Sequence, residues 1–285
     1  MVDDNRITFW FTDLDWIASV KDFLNSFFAL REKIKNDKLW FRGLASINHQ
    51  LLPSIGREHK YGGRLKKFND EGEVVLLRRF RRRAYPHEKR VTNIWEALFL
   101  ARHYGLPTRL LDWTANALFG LYFACVGQSC EDGALWAITR VRGNEGLDVF
   151  PLSKTDDESL FKMYKRDSRR VGKGEITKEA VRIVDPIYNS PRIVAQDGAF
   201  TFHSNPWRSL ESYVGVLFQK SNLDVGGLYR WKIRAIDKPT VIAQLSGLGI
   251  THRIMFPDLD GIARSLWETE VLWHGTRISQ SPRKL

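Results

Sequence analysis

Residues 103–114 place an unusual number of polar side chains between two apolar helical patterns. The segment reads His-Tyr-Gly-Leu-Pro-Thr-Arg-Leu-Leu-Asp-Trp-Thr. Histidine, tyrosine, threonine, arginine and aspartate side chains are costly to bury unless they bond to each other or to a ligand. The segment therefore predicts either a polar network that locks a helix–strand–helix corner or a functional site, and we favour the site.

Arg42 is the second candidate for chemistry, because it ends the short apolar stretch 39–41 and is followed by glycine. Gly43 permits close approach of the backbone to a ligand. A guanidinium group in such a position is suited to binding a phosphate or a carboxylate. The alternative is that Arg42 pairs with an internal acid such as Asp112.

The charge balance favours a polyanionic partner. The 285 residues include 44 Lys and Arg against 33 Asp and Glu, a formal net charge of +11. Such an excess favours nucleic acid through counterion release, although basic residues also solubilise a surface. Two clusters of basic residues are the candidate nucleic-acid-binding positions: Arg78, Arg79, Arg81, Arg82 and Arg83 in the first, and Lys165, Arg166, Arg169 and Arg170 in the second.

Hydrophobic periodicity predicts the elements that position these residues. The pattern predicts a helix over 13–35, a strand over 39–43, a helix over 70–85, a helix that ends near Arg102, a buried strand over 109–113 and a buried helix over 116–126. Later in the chain it predicts strands over 133–138, 192–203 and 228–233, and a helix over 238–248. These elements predict one α+β domain with a small mixed or antiparallel β core flanked by helices.

The expected domain organisation has an N-terminal helical segment over 1–37, a main domain over 38–267 that carries a basic insertion over 143–180, and a C-terminal tail over 268–285. No apolar run approaches the roughly 20 residues of a membrane span. The start of the chain lacks the basic-then-apolar order of a signal peptide. We therefore expect a cytoplasmic protein that does not enter a membrane. Neither a metal site nor a disulfide framework is expected from two cysteines and scattered histidines.

Several motifs occur in the order found in FRG-domain proteins, and the chain resembles that family from about residue 13 to about residue 267. They are Trp-Phe-Arg-Gly at 40–43, Leu-Pro-Ser-Ile at 52–55, the segment 101–114, Gly-Ala-Leu-Trp at 133–136, Gln-Asp-Gly-Ala-Phe at 196–200 and Phe-Pro-Asp-Leu-Asp-Gly at 256–261. The resemblance implies a fold distantly similar to ADP-ribosyltransferases. It also implies NAD as cofactor, a nucleic acid or protein acceptor, and a toxin or phage-defence setting in which an antitoxin or inhibitor protein restrains the activity.

The resemblance also implies roles for individual residues. Arg42 matches the first strand position of such transferases and would hold the NAD phosphates, and Thr114 matches the second motif. Tyr104 or Trp113 would stack on nicotinamide. The implied cofactor-binding set is completed by Thr108, Arg109 and Phe200.

The expected catalytic carboxylate is where this sequence departs from the transferase pattern. Gln196 stands where a late-strand acid would be useful, which leaves Asp112, or less favourably Glu211, to stabilise positive charge on the ribose. His103 or His203 would deprotonate the acceptor, since histidine titrates near neutral pH.

Two other functions fit the same residues. One is an RNA-processing enzyme, for example a metal-independent nuclease that uses His103, His203 and Arg109. The other is a non-catalytic nucleic-acid-binding module whose polar corner is structural. The chain has neither of the glycine-rich phosphate-binding motifs of ATPases and dinucleotide-binding folds, which argues against both classes.

Overall fold

A computed structural model describes most residues of the chain, and the described residues form ten strands and eight α-helices. These residues are 11–35, 37–61, 64–66, 70–88, 91, 94–139, 148–150, 181–184, 191–221, 227–259 and 261–267. The strands are β1 (Thr12–Trp16), β2 (Leu39–Leu44), β3 (His59–Tyr61), β4 (Arg64–Lys66), β5 (Leu110–Thr114), β6 (Gly133–Thr139), β7 (Asp148–Phe150), β8 (Val181–Val184), β9 (Gly198–His203) and β10 (Leu228–Ile233). The helices are α1 (Val20–Lys33), α2 (Asp70–Ala84), α3 (Ile94–His103), α4 (Ala117–Cys125), α5 (Pro191–Ala195), α6 (Leu210–Ser221), α7 (Lys238–Gly247) and α8 (His252–Met255).

Eight of these strands form one mixed sheet in the order β1-β10-β6-β2-β5-β9-β8-β7, and β3 pairs with β4 in a separate hairpin. The outer pairs β1–β10 and β7–β8 are parallel, and the other pairs of the sheet are antiparallel. The prediction of an α+β protein with a mixed sheet and flanking helices is confirmed. The prediction that the β core is small is wrong, because β1 at one edge and β8 and β7 at the other extend the sheet to eight strands.

The centre of the sheet is weakly joined. β2 pairs with β6 along its whole length from Leu39 to Leu44, but it pairs with β5 at one position, Phe41 opposite Thr114. Beyond that pair the two central strands separate. The separation leaves space beside Arg42 on β2 and Asp112 on β5.

Helices cover the sheet on both sides of this gap. α4 packs directly on β2, because Gly43 and Gly120 lack side chains that would hold the two backbones apart. α3 packs over β9, where the ring of Phe99 lies 5.2 Å from that of Phe200 and the ring of Trp95 lies 5.3 Å from that of Phe202. Two buried clusters therefore flank the gap, one around α4 and one around α3.

Two predicted elements were wrong in extent. The stretch 13–35 is not one helix, since β1 occupies its first part and α1 begins after Ser19, whose hydroxyl accepts a hydrogen bond from the Asp22 amide. The stretch 192–203 contains α5 and β9, separated by a turn in which Asp197 has a φ of 45°. In both cases a local apolar pattern does not reveal the long-range partner that fixes the strand.

Much of the predicted basic insertion lies outside the described residues, since only 148–150 of the range 143–180 belong to them. The predicted tail over 268–285 lies outside them as well. Within the described ranges no helix is both long and apolar enough to cross a membrane.

Candidate functional site

A cavity of about 380 Å³ lies at the gap between β2 and β5. Its size falls in the range of small-molecule sites, about 300–1,000 Å³. Side chains from β2, α3, β5, α4, α5 and β9 surround it, and we call it the central cavity. The predicted site residues that line it are Arg42, His103, Asp112, Trp113, Thr114, Gln196 and Phe200.

Asp112 and two arginines form the floor of the central cavity. Arg102 binds the Asp112 carboxylate with two donors, Nε to Oδ1 at 2.8 Å and Nη2 to Oδ2. Arg42 Nη1 donates to the Asp112 backbone carbonyl at 2.7 Å and lies 3.4 Å from Oδ2. The alternative in which Arg42 pairs with Asp112 is therefore realised, and Arg42 still borders the cavity.

The charges fix the protonation states of this group. Burial alone would raise the pKa of Asp112, but the positive charges of Arg102 and then Arg42 hold it well below its ordinary value. Burial lowers the pKa of Arg42 to about 10, partly opposed by Asp112. All three groups are consequently charged at neutral pH, and Asp112 has no proton to donate.

Arg192 adds a third guanidinium group to the lining. It lies over the Phe256 ring at 4.3 Å from the centroid, a cation–π contact that holds it at the cavity wall. Three guanidinium groups thus face one carboxylate among the described lining residues. This excess of positive charge makes the central cavity suited to an anionic ligand.

His103 is the histidine among the described residues that line the central cavity. Burial lowers its pKa below the ordinary histidine value, and the positive charge of Arg192 adds to this effect while Asp258 opposes it. The imidazole is therefore neutral at neutral pH. A neutral imidazole at the edge of an anion-binding cavity has the protonation state that a general base requires.

Aromatic residues supply the apolar part of the cavity lining: Phe41, Trp113, Phe123 and Phe200. The indole Nε1 of Trp113 donates to Thr201 Oγ1 at 3.0 Å, and Thr201 Oγ1 lies 2.9 Å from His203 Nε2. This buried chain of hydrogen bonds fixes the orientation of the Trp113 ring. An anionic ligand that also carries a planar group would match both parts of the cavity.

Thr114 and Gln196 border the cavity but also bind the backbone. Thr114 Oγ1 donates to the Gln196 carbonyl at 2.6 Å and accepts from the Asn116 amide at 3.0 Å. Gln196 Nε2 donates to the Met255 carbonyl at 3.1 Å. These two side chains hold the start of α4, the end of α5 and the end of α8 around the cavity.

Four of the predicted catalytic and cofactor-binding residues are not among the described residues that line the central cavity. Tyr104 is 72% exposed and points away from it. Thr108 is buried, and its amide donates to Ser54 Oγ at 3.1 Å. Arg109 and His203 are fully enclosed.

Arg109 has a structural partner instead of a ligand. Its Nη2 lies 2.6 Å from Glu73 Oε2, its amide donates to Glu73 Oε1 at 3.0 Å, and its Nη1 donates to the Ser204 carbonyl at 2.9 Å. The pair joins α2 to the segment before β5. The nuclease alternative loses support here, because Arg109 and His203 are sealed away from His103.

The alternative carboxylate, Glu211, is not among the described residues that line the central cavity. It is partly buried at the start of α6 and accepts from the Leu51 amide at 2.9 Å. Burial raises its pKa. Of the two carboxylates proposed from the sequence, Asp112 alone borders the cavity.

The structure describes one of the two predicted basic clusters. Arg78, Arg79, Arg82 and Arg83 are exposed on the second half of α2, and Arg81 is partly exposed there. Lys165, Arg166, Arg169 and Arg170 lie outside the described residues.

Sequence reasoning missed Arg102 and Arg192 as site residues. Arg102 falls on the apolar stripe of α3 together with Trp95 and Phe99, and a charged residue on an inward-facing stripe is the signal that could have found it. Arg192 has no comparable signal, since its position depends on how α5 turns back onto β9.

Residues 37–133 match the family model of the FRG domain. This part of the chain is similar to the FRG domain. The matched range supplies Arg42, Arg102, His103, Asp112 and Thr114, whereas α5 and β9 complete the cavity from beyond it. No curated protein and no solved structure matches the chain.

Proposed function

We propose that this protein is an NAD-consuming ADP-ribosyltransferase that modifies a nucleic acid or a protein. The observation that carries the proposal is the central cavity, where Arg42, Asp112, Thr114, Trp113 and Gln196 meet. A dinucleotide such as NAD has a pyrophosphate for guanidinium groups and planar rings for an aromatic wall. NAD is the substrate, and its glycosidic bond between ribose and nicotinamide is the one that breaks.

The proposed roles follow from charge and position. Arg42 and Arg192 bind the pyrophosphate, because both guanidinium groups border the cavity and Arg102 is already engaged by both carboxylate oxygens of Asp112. Trp113, held by Thr201, stacks on the nicotinamide ring. The ionised Asp112 stabilises positive charge that develops on the ribose as nicotinamide leaves with the bonding electron pair.

His103 completes the transfer. Its neutral imidazole accepts a proton from the acceptor nucleophile as that nucleophile bonds to the ribose C1′. The electron pair of the broken bond stays on nicotinamide, so the products are ADP-ribosylated acceptor, nicotinamide and a proton. A toxin or phage-defence role with a restraining antitoxin or inhibitor protein is part of the same proposal.

The test is to measure NAD binding by calorimetry and nicotinamide release with RNA or cell lysate as acceptor. We expect Arg42→Ala to weaken NAD binding by roughly tenfold to a hundredfold, the cost of one charge-assisted contact. Arg234→Ala is the matched control, since Arg234 is exposed just after β10, does not line the cavity, and has its guanidinium carbon 5.7 Å from the centre of the Trp16 ring. Wild-type protein that neither binds NAD nor releases nicotinamide would refute the proposal.

A further inference from the structure

A second cavity lies on the other side of the turn that follows α3, and we call it the α2–α3 groove. Its volume is about 670 Å³. Phe80, Leu100 and Leu106 give it apolar walls, and Arg79, Arg83 and Tyr104 stand at its rim. His103 and Gly105 line the central cavity, whereas Tyr104 between them lines the groove. The two cavities therefore share a wall that is three residues long.

The end of α3 turns Tyr104 outward. Gly105 adopts a φ of 80°, and the Leu106 amide donates to the Ala101 carbonyl at 2.9 Å. This is a common way to end a helix at glycine. As a result His103 points to one cavity and Tyr104 to the other, with their ring centroids 4.9 Å apart. Tyr104 is 72% exposed, so its ring is accessible to a ligand in the groove.

The cations of the groove exceed what α2 needs for its own stability. Arg79 and Arg83 are four residues apart and therefore lie on the same side of α2. The helix C-terminus is complemented by cations in its last turn, but five arginines between 78 and 83 are more than that requires. Glu88 is the one acidic residue among the described residues that line the groove. The groove is complementary to a negatively charged ligand.

The combination of groups favours a nucleic acid over an acidic peptide. A run of acidic residues has carboxylates for Arg79 and Arg83 but no planar group for Tyr104 and the apolar walls. An unpaired nucleotide has both a phosphate for the guanidinium groups and a base with a π-face. A duplex keeps its bases stacked inside and cannot offer one to the groove.

We propose that the α2–α3 groove binds a nucleotide of single-stranded nucleic acid, with the base stacked on Tyr104 and the backbone phosphates on Arg79 and Arg83. The strand then runs over the turn at residues 103–105, so a neighbouring nucleotide reaches the opening of the central cavity beside His103. In this part the inference rests on the proposed function, since it names single-stranded nucleic acid as the acceptor. Binding at the groove itself does not depend on NAD.

The experiment measures binding of a fluorescent 12-nucleotide single-stranded RNA by anisotropy, with its duplex and polyglutamate as comparison probes. We expect Tyr104→Ala to weaken RNA binding by about tenfold to a hundredfold and Tyr104→Phe to restore it, because stacking uses the ring. The double variant Arg79→Ala with Arg83→Ala is expected to make the slope of log K against log salt less negative by about 1.4. This is the contribution of two phosphate contacts to a single strand. The charge-matched control is Lys21→Ala with Lys33→Ala, two exposed positions on α1.

The outcomes separate the groove from the central cavity. NAD binding by Tyr104→Ala is expected to equal that of wild type, and its far-ultraviolet circular dichroism to be unchanged, because Tyr104 is 72% exposed. Tyr104-dependent RNA binding without NAD consumption refutes the proposed function and supports the groove. RNA binding that is equal in wild type and Tyr104→Ala, preference for the duplex, or preference for polyglutamate overturns the groove proposal, whatever the result with NAD.

Discussion

The surroundings of Asp112 in the structure narrow the chemical roles that its residue type suggests. A carboxylate in a polar corner is a candidate acid or nucleophile, but Arg102 and Arg42 hold this one ionised. An ionised carboxylate that accepts two hydrogen bonds from Arg102 can stabilise positive charge and cannot act as a general acid. The residue that exchanges a proton in the proposed reaction is therefore His103.

The pH dependence of transfer tests His103. Because burial and Arg192 lower the pKa of His103, its imidazole stays neutral when the pH falls to the ordinary histidine range. We expect kcat at saturating NAD to be level across neutral pH and to fall only on further acidification, as the imidazole takes up a proton. His103→Gln should lower kcat by about a hundredfold or more with NAD binding retained.

A pH profile of kcat in wild type and His103→Gln is the measurement. The variant should lose the acidic limb of the profile along with most of its rate. A wild-type limb centred above the ordinary histidine range would contradict the assignment, and so would a limb that persists unchanged in His103→Gln.

The helix α4 packs closely on the strand β2 beside the central cavity. A Cβ on Gly43 would lie 2.2 Å from the Ala124 amide nitrogen and 2.3 Å from the Gly120 carbonyl oxygen. Both contacts are to backbone, which cannot rotate away. The glycine after Arg42 therefore serves the approach of a helix.

Gly43→Ala is expected to destabilise the protein by about 1–3 kcal/mol, the usual cost of overpacking a close contact. The measurement is the free energy of unfolding in urea. Gly247→Ala is the control, since no atom of another element lies within 4 Å of the Cβ it would add and Gly247 ends α7. An equal change in both variants would show that α4 and β2 are not packed as described.

Elements defined by local patterns were predictable, and elements defined by distant partners were not. The apolar run of α4 and the alternation in β10 predicted their positions to within two residues, and the stripe of α3 predicted where that helix ends. β1 was missed because its pairing partner β10 lies more than 200 residues away in the sequence. The corner at 103–114 and Arg42 pointed to the cavity, but Arg192 enters it only through the folding of α5.

The interior of the whole molecule contains a histidine that the sequence could not distinguish from a catalytic one. His203 is 1% exposed, and its Nδ1 has no hydrogen-bond partner among the described residues. Burial lowers its pKa to about 3, with the positive charges of Arg109 and Arg42 adding to the effect. The folded protein thus keeps His203 neutral under conditions in which the unfolded chain protonates it.

Global stability should therefore fall with acidification from the ordinary histidine range down to about pH 3, by at most about 1.4 kcal/mol per pH unit from this group. The sign follows because the unfolded state binds the extra proton in that window. Urea unfolding of wild type and His203→Gln between pH 4 and pH 8 measures it. Glutamine does not titrate, so the difference between the two unfolding free energies should depend on pH; a constant difference would contradict the assignment.

The single Phe41–Thr114 pair leaves the sheet as two four-stranded halves that meet across a cleft. Arg42 belongs to one half, and Asp112 with Phe200 belongs to the other. A ligand bound between them would bridge β2 and β5, which pair with each other at one position. The free energy of ligand binding would then include the free energy of holding the two halves together. A ligand that binds more tightly would therefore also stabilise the contact between the halves more strongly.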